Sequence, residues 1–415
     1  MSSALWLALV LSAAPADPPL RLEVLVSPTF GMEVGIRDVA SGRRALFLYD
    51  EALSERIGWE DSSVLKRIAG IFGRTAKLVL IDVPLTSVLG VVEHEVFGHG
   101  ARARENGLGA QFVFTLPVPY VYLFKPQLPF SGYAEYFQSG RPDRDLPMTA
   151  GGIEAESFSA HFVALRTFRD GGRIHYAESM HYVESSLAYA SRWFDGQLLG
   201  DGEGSSDVDS YALLLAQRFN RSGRASQIDL SQRLRRAYAA SFLNPLLWTS
   251  VYDVLVDYLG RGERYSVVRQ LTIGGVRLFP LTRFLLSPFG AEHTVEVMIS
   301  TGRFTLDVSV RGVSTGLASA WGVGARLFRF ELRREVELGA SIDLWLQPEL
   351  LPEYRNAYDG RTLPGVSGMV EATWRPLEHF GLVAQVGAKS RGYVMGQPIT
   401  EGVFGFAGAA FFAGR

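Results

Sequence analysis

The chain has 415 residues, 47% of them apolar and 20% charged, with a formal net charge of -2. That is enough apolar material for two or three structural units, and the near-neutral charge, with no basic stripe interleaved with aromatics, argues against a nucleic-acid partner. There is no cysteine, which excludes disulfides, Cys-ligated zinc, iron–sulfur clusters and thiol nucleophiles; any metal must be held by His, Asp and Glu.

In chain order, residues 1–16 read as a secretory signal peptide. Leu5 to Leu11 form an apolar run, and Ala14-Pro15-Ala16 is a small-x-small cleavage site before Asp17. Export without cysteine points to the envelope of a Gram-negative bacterium, in the outer membrane or periplasm. Residues 17–61 alternate loosely and are expected to form an N-terminal β segment, with strands at Leu20–Val26 and Met32–Ile36.

Residues 62–262 read mainly as helices. One is expected to begin at Pro84 and end near Asn106-Gly107, a favourable C-terminal pair. Phe112 to Phe124, with Pro117 and Pro119, is expected to be extended and at a sheet edge. Further helices are expected over Ile153–Arg169, His175–Trp193, Val208–Phe219, Gln227–Phe242 and Pro245–Leu259, and a surface loop over Asp201–Ser206. The apolar stretch Leu78 to Val92 is interrupted by Asp82 and is short for a membrane span.

Over residues 263–415 the period switches from 3.6 to 2. Phe304, Leu306, Val308 and Val310 alternate with polar neighbours, and so do Val336 to Leu346, with a turn expected near Arg333-Arg334. Met369 to Arg375, Leu382 to Lys389 and Phe404 to Phe412 follow the same pattern, for about seven or eight strands in all. Strands of this length with dyad alternation are the signature of an outer-membrane-type β-barrel, whose partner is lipid; a soluble antiparallel sandwich is the alternative. The fold class expected is α+β: a helical, gluzincin-like metal-site unit joined to a C-terminal antiparallel, barrel-like β region.

The chemistry is concentrated in Glu93-His94-Glu95-Val96-Phe97-Gly98-His99. Zinc needs neutral imidazoles and a carboxylate near tetrahedral geometry, with one position left for water. A spacing of five rotates the second His roughly 140° from the first in a regular helix, so the motif works only if the helix widens locally into a π-bulge, where i and i+5 become neighbours. Gly98 tolerates such a distortion. Glu95 is then placed to act as general base on a zinc-bound water.

His94-Glu95-Val96-Phe97-Gly98-His99 resembles the His-Glu-x-x-Gly-His motif of the dipeptidyl-peptidase III metallopeptidases. The resemblance implies that His94 and His99 are zinc ligands and that Glu95 is the catalytic base. It covers this hexapeptide; the family's second motif, Glu-Glu-x-x-Ala-Glu in outline, is not reproduced. The metal geometry therefore carries over and the dipeptidyl specificity does not.

The third ligand is expected to be a carboxylate on a later helix. Gly151-Gly152-Ile153-Glu154-Ala155-Glu156 suggests Glu154, at a tight helix entry and on one face with His161; Glu156 is the alternative. His161 is a further candidate for the site, whereas His175 and His181 lie six apart and off-face. Tyr133, Tyr136 and Tyr176 are candidate oxyanion donors. Asn244-Pro245 with Asp253 resembles an element of site-2-type intramembrane metalloproteases, but reads more simply as a capped helix.

The function expected is a zinc-dependent hydrolase, a metallopeptidase with one zinc per chain acting on a peptide or protein. The alternative is a non-catalytic outer-membrane barrel or transport protein with a helical plug.

Overall fold

A computed structural model describes residues 20–57, 63–115, 131–136, 139–187, 207–219, 227–301, 304–350 and 360–413. The signal-peptide reading, the loop over 201–206, the extended reading beyond Thr115 and the end of the helix expected to reach Trp193 lie outside them.

Strand β1 (Leu20–Val26) forms as expected. Met32 does not start a strand: helix α1 runs over Met32–Ile57. Five alternating residues are compatible with either period. Met32 and Ile36, one helical turn apart, are both buried in the core cluster that holds Phe97, whose ring lies against Gly35, and that burial selects the helix.

Helix α2 is continuous over Val64–Glu105, 42 residues, and among the described helices it alone is long and apolar enough to cross a membrane. Val79, Leu80, Ile81 and Val83 are exposed along it. It already runs twenty residues before the expected start at Pro84 because a π-helical turn, Leu78–Asp82, precedes the proline. That turn sets Lys77 against Asp82, five residues on, at 2.9 Å. Asn106 ends the helix and Gly107 follows in the left-handed region, φ 71°. A hairpin of β2 (Ala110–Thr115) and β3 (Ser131–Tyr136) comes next.

Helix α3 (Pro142–Arg169) starts eleven residues earlier than expected, with Pro142 at its first position, so Gly151 and Gly152 lie in its interior. After β4 (Arg173–His175) come α4 (Tyr176–Leu187), α5 (Asp207–Phe219) and α6 (Gln227–Tyr238). Helix α7 (Pro245–Tyr252) continues through a π-helical stretch, Asp253–Arg261. Asn244 caps α7 by accepting from the Leu246 N–H at 3.0 Å.

The remaining strands are β5 (Tyr265–Val267), β6 (Leu271–Ile273), β7 (Val276–Ser287), β8 (Gly290–Ser300), β9 (Phe304–Val313), β10 (Trp321–Arg333), β11 (Val336–Pro348), β12 (Thr362–Leu377), β13 (Phe380–Lys389) and β14 (Gly402–Ala413). The α+β class and the large antiparallel sheet are as read from the sequence. The sheet has ten strands in the order β1-β14-β13-β12-β11-β10-β9-β8-β7-β6, so the N-terminal strand joins the C-terminal one.

One face of this sheet packs on α1 and α3 and is strongly polar. Arg37 of α1 donates to Glu23 at 2.9 Å and to Glu371 at 2.6 Å, and Gln385 donates to Glu33 at 3.3 Å. Phe168 of α3 packs on Phe279 with ring centroids 4.6 Å apart. The other face is apolar and exposed: Val24, Val295, Val310, Ile342, Val370 and Val386 all point away from the helices. An inside that is charged and an outside that is apolar reverses the usual arrangement of a water-soluble sheet.

Candidate metal centre

The segment Glu93–His99 is π-helical, and Gly100 donates its N–H to the Glu95 carbonyl five residues back. The widened turn brings His94 and His99 onto one side, with their Nε2 atoms 3.1 Å apart. This is the geometry that a spacing of five demands.

Glycines let helix α3 approach this turn. A Cβ on Gly98 would lie 2.6 Å from the Gly151 carbonyl oxygen, and one on Gly152 would lie 2.2 Å from His94 Nε2. The glycine in the motif therefore serves interhelical contact as well as the bulge. Met148, Gly152 and Glu156 recur every four residues and form the stripe of α3 that faces the two imidazoles.

That stripe decides the ring orientations. His94 Nδ1 meets Glu156 Oε1 at 2.9 Å, and His99 Nδ1 meets the Met148 carbonyl oxygen at 2.6 Å. Both partners are acceptors, so each Nδ1 carries a hydrogen, and each Nε2 faces Asp207, where a cation that displaced its proton would meet a lone pair. Asp207 Oδ2, from the first residue of α5, lies 3.0 Å from His94 Nε2 and 3.4 Å from His99 Nε2. Three acceptor atoms thus converge. Zinc with ligands at 2.0–2.1 Å in a tetrahedron needs ligand atoms about 3.3 Å apart, and the three separations of 3.0, 3.1 and 3.4 Å lie close to that edge.

The electrostatics tell the same story. Burial alone would lower His94, but Glu156 and Asp207 outweigh it and hold its pKa well above the ordinary value. Burial opposes protonation of His99 too, and the Asp207 carboxylate raises it. Asp207, whose side chain is 31% exposed, is pulled well below the ordinary range by the two imidazoles, against the effect of its partial burial. The cluster attracts positive charge, which protons or a cation supply.

Glu95 is buried, near enough to His99 for its charge to act there, and makes no hydrogen bond among the described residues.

Glu154, the expected third ligand, is not at this centre. It accepts from Arg102 Nε at 2.9 Å, from Arg102 Nη2 and from the Gly396 N–H at 2.9 Å. It sits two residues from Glu156, roughly 200° round α3, and so faces away from the imidazoles. Glu156 bonds to His94 Nδ1, and Asp207 is the carboxylate that lies beside both Nε2 atoms. Asp207 was missed because an acid at a helix start has the ordinary role of complementing the helix dipole, and no local pattern connects it to a motif 113 residues earlier.

His161 sits with Glu296 and Asp307 instead. His181 meets Ser159 at 2.8 Å, and His175 stacks on Phe47. His293 meets Ser314, and His379 meets the Phe412 carbonyl. Tyr176 is stacked on Tyr258 and held by Lys77 and Asp82; Tyr133 is exposed on β3, and the Tyr136 side chain lies outside the described residues. Asp253 is bound by Ser179 and Ser266 in a structural network. Glu156→Gln is expected to weaken zinc binding about 10–100-fold, measured by competition with a chromogenic chelator; unchanged affinity would mean that His94 needs no external orientation.

No family model matches the chain, and no curated protein matches it.

Proposed function

We propose that this chain is a zinc-dependent hydrolase, a metallopeptidase of the Gram-negative envelope, with zinc held by His94, His99 and Asp207. The observation that carries the reading is the convergence of two Nε2 lone pairs and one carboxylate at near-tetrahedral separations. Bound there, zinc would supply a Lewis acid that polarises a carbonyl and acidifies water. Glu156 and the Met148 carbonyl hold the imidazoles in their ligand tautomers, and Gly152 leaves the space His94 needs. Glu95 takes the proton of the attacking water. Peptide hydrolysis rests on the motif, since zinc alone does not select a substrate.

The test is metal content. The purified chain is expected to lose one equivalent of zinc in His94→Ala, His99→Ala or Asp207→Ala, with circular dichroism unchanged. A chain that cannot be loaded, or an Asp207→Ala variant that binds as before, overturns the reading.

The sheet supports an outer-membrane barrel with lipid on its apolar face. Trp374 is level with Val336, and Trp321 and Pro364 are level with Leu346, so exposed tryptophans lie near both ends of the strands. Ten residues at about 3.4 Å, tilted by about 40°, give a band about 26 Å tall, close to the typical height of about 25 Å. Val310 and Val386 are 58% and 60% exposed on this face. Val310→Arg or Val386→Arg is expected to cost about 2–4 kcal/mol in a bilayer, against less than about 0.5 kcal/mol on a water-exposed sheet. Urea titration in lipid vesicles separates the two.

The packing of α1 and α3 on the polar face also suits a second reading, a barrel with a helical plug and no catalysis. Under it, zinc would bind with no peptide hydrolysis in any digest.

A further inference from the structure

A second buried cluster lies where α3 meets the sheet. His161 on α3 faces Glu296 on β8 and Asp307 on β9. In the register of these strands Met298 lies opposite Asp307, so Glu296 and Asp307 are diagonal neighbours on the polar face. His161 Nδ1 is 3.2 Å from Glu296 Oε2, and His161 Nε2 is 3.8 Å from Asp307 Oδ2. One ligand atom from each residue lies within 4.8 Å of the others.

The cluster is short of donors. His161 and Asp307 are only 7% and 5% exposed, yet among the described residues His161 Nδ1 and Asp307 Oδ1 make no hydrogen bond. Arg283 pairs with Glu296 Oε1, which leaves Oε2 turned to the imidazole. Asp307 has no ion pair with arginine or lysine among the described residues. A neutral imidazole can donate to one of its two flanking carboxylates and not to both. Burial and the neighbouring Glu296 push the Asp307 carboxyl up to about 8 against the pull of Arg283 and Arg326, so the site takes up a positive charge, as a proton or a cation. A cavity of about 50 Å³ lined by His161, Arg283, Glu292, Asp307 and Arg326 leaves room for it.

We infer that His161, Glu296 and Asp307 form a second cation site, for a divalent transition ion that accepts one imidazole and two carboxylates, such as zinc or manganese. It is distinct from the first centre. His161 lies five residues past Glu156, about 7.5 Å along the helix axis, beyond the separation of about 3.5–4 Å of a co-catalytic metal pair. Its role is structural: the ion ties the helix that orients His94 to two strands of the sheet.

Zinc stoichiometry tests it on the full chain. The wild type is expected to bind two equivalents, Asp207→Ala one, His161→Gln one, and Asp207→Ala with His161→Gln none. One equivalent that is lost in Asp207→Ala and unaffected by His161→Gln overturns this inference and leaves the first centre standing. One equivalent with the opposite behaviour supports it and overturns the first centre. Should His161→Gln fail to fold, Mn²⁺ loaded into Asp207→Ala is read by electron spin echo spectroscopy. Modulation from one imidazole nitrogen supports the site; its absence overturns it.

Discussion

Glu95→Gln is expected to keep zinc at wild-type stoichiometry and to lower peptide turnover by roughly 10²–10⁴-fold, the usual contribution of a general base. The substitution is nearly isosteric and leaves the ligand atoms of His94, His99 and Asp207 untouched. Glu95 takes part in no hydrogen bond among the described residues, so little structure depends on its charge. The loss should fall on kcat, with KM close to its original value, because a proton acceptor acts in the transition state and contributes little to substrate binding. Metal analysis and steady-state kinetics on one preparation suffice. A variant that retains both zinc and turnover would remove Glu95 from the chemistry, and one that loses zinc would make it a ligand.

Glu154→Ala should do the opposite: damage the fold and spare the metal atoms. Arg102 is 0% exposed and spends two of its nitrogens on Glu154. Glu105 and the Gln397 carbonyl remain as its partners after the change. Removing one member of a buried pair costs about 3–5 kcal/mol where the other charge is left unpaired, an upper bound here because Glu105 stays 2.7 Å from Arg102. Asp207→Ala should abolish zinc binding at that centre, and in the metal-free chain it costs the pairing with His94 and His99, which is smallest at a pH high enough for both imidazoles to be neutral. Urea unfolding of the metal-free variants gives the comparison. Equal stability of the two would contradict the assignment of Glu154 to the fold and Asp207 to the metal.

The contrast between these two acids shows how far residue patterns reach. His94, Glu95 and His99 lie within six residues, and a spacing of five carries its own geometric demand. The π-helical turn was therefore legible before any coordinates were considered. Glu154 and Glu156 were both visible as candidates, but which of them turns toward the imidazoles depends on the rotation of α3. Reading Gly151-Gly152 as a helix entry set that rotation wrongly, since both glycines lie mid-helix where α3 touches the π turn. The strand expected at Met32–Ile36 failed for a similar reason. Its five residues fitted two periods, and burial of Met32 and Ile36 in one core cluster chose the helical one.

By itself the sequence determined most of the periods of its elements, the absence of cysteine chemistry and the π-helical turn at His94 and His99, because each depends on residues close together in the chain. Only the tertiary structure decided which carboxylate meets the two imidazoles, since Asp207 reaches them across 113 residues. It also decided which face of the sheet the helices cover. An alternating strand says that its two faces differ and not which one points inward; Arg37 on α1 and His161 on α3 settle that by pairing with Glu23, Glu371 and Glu296.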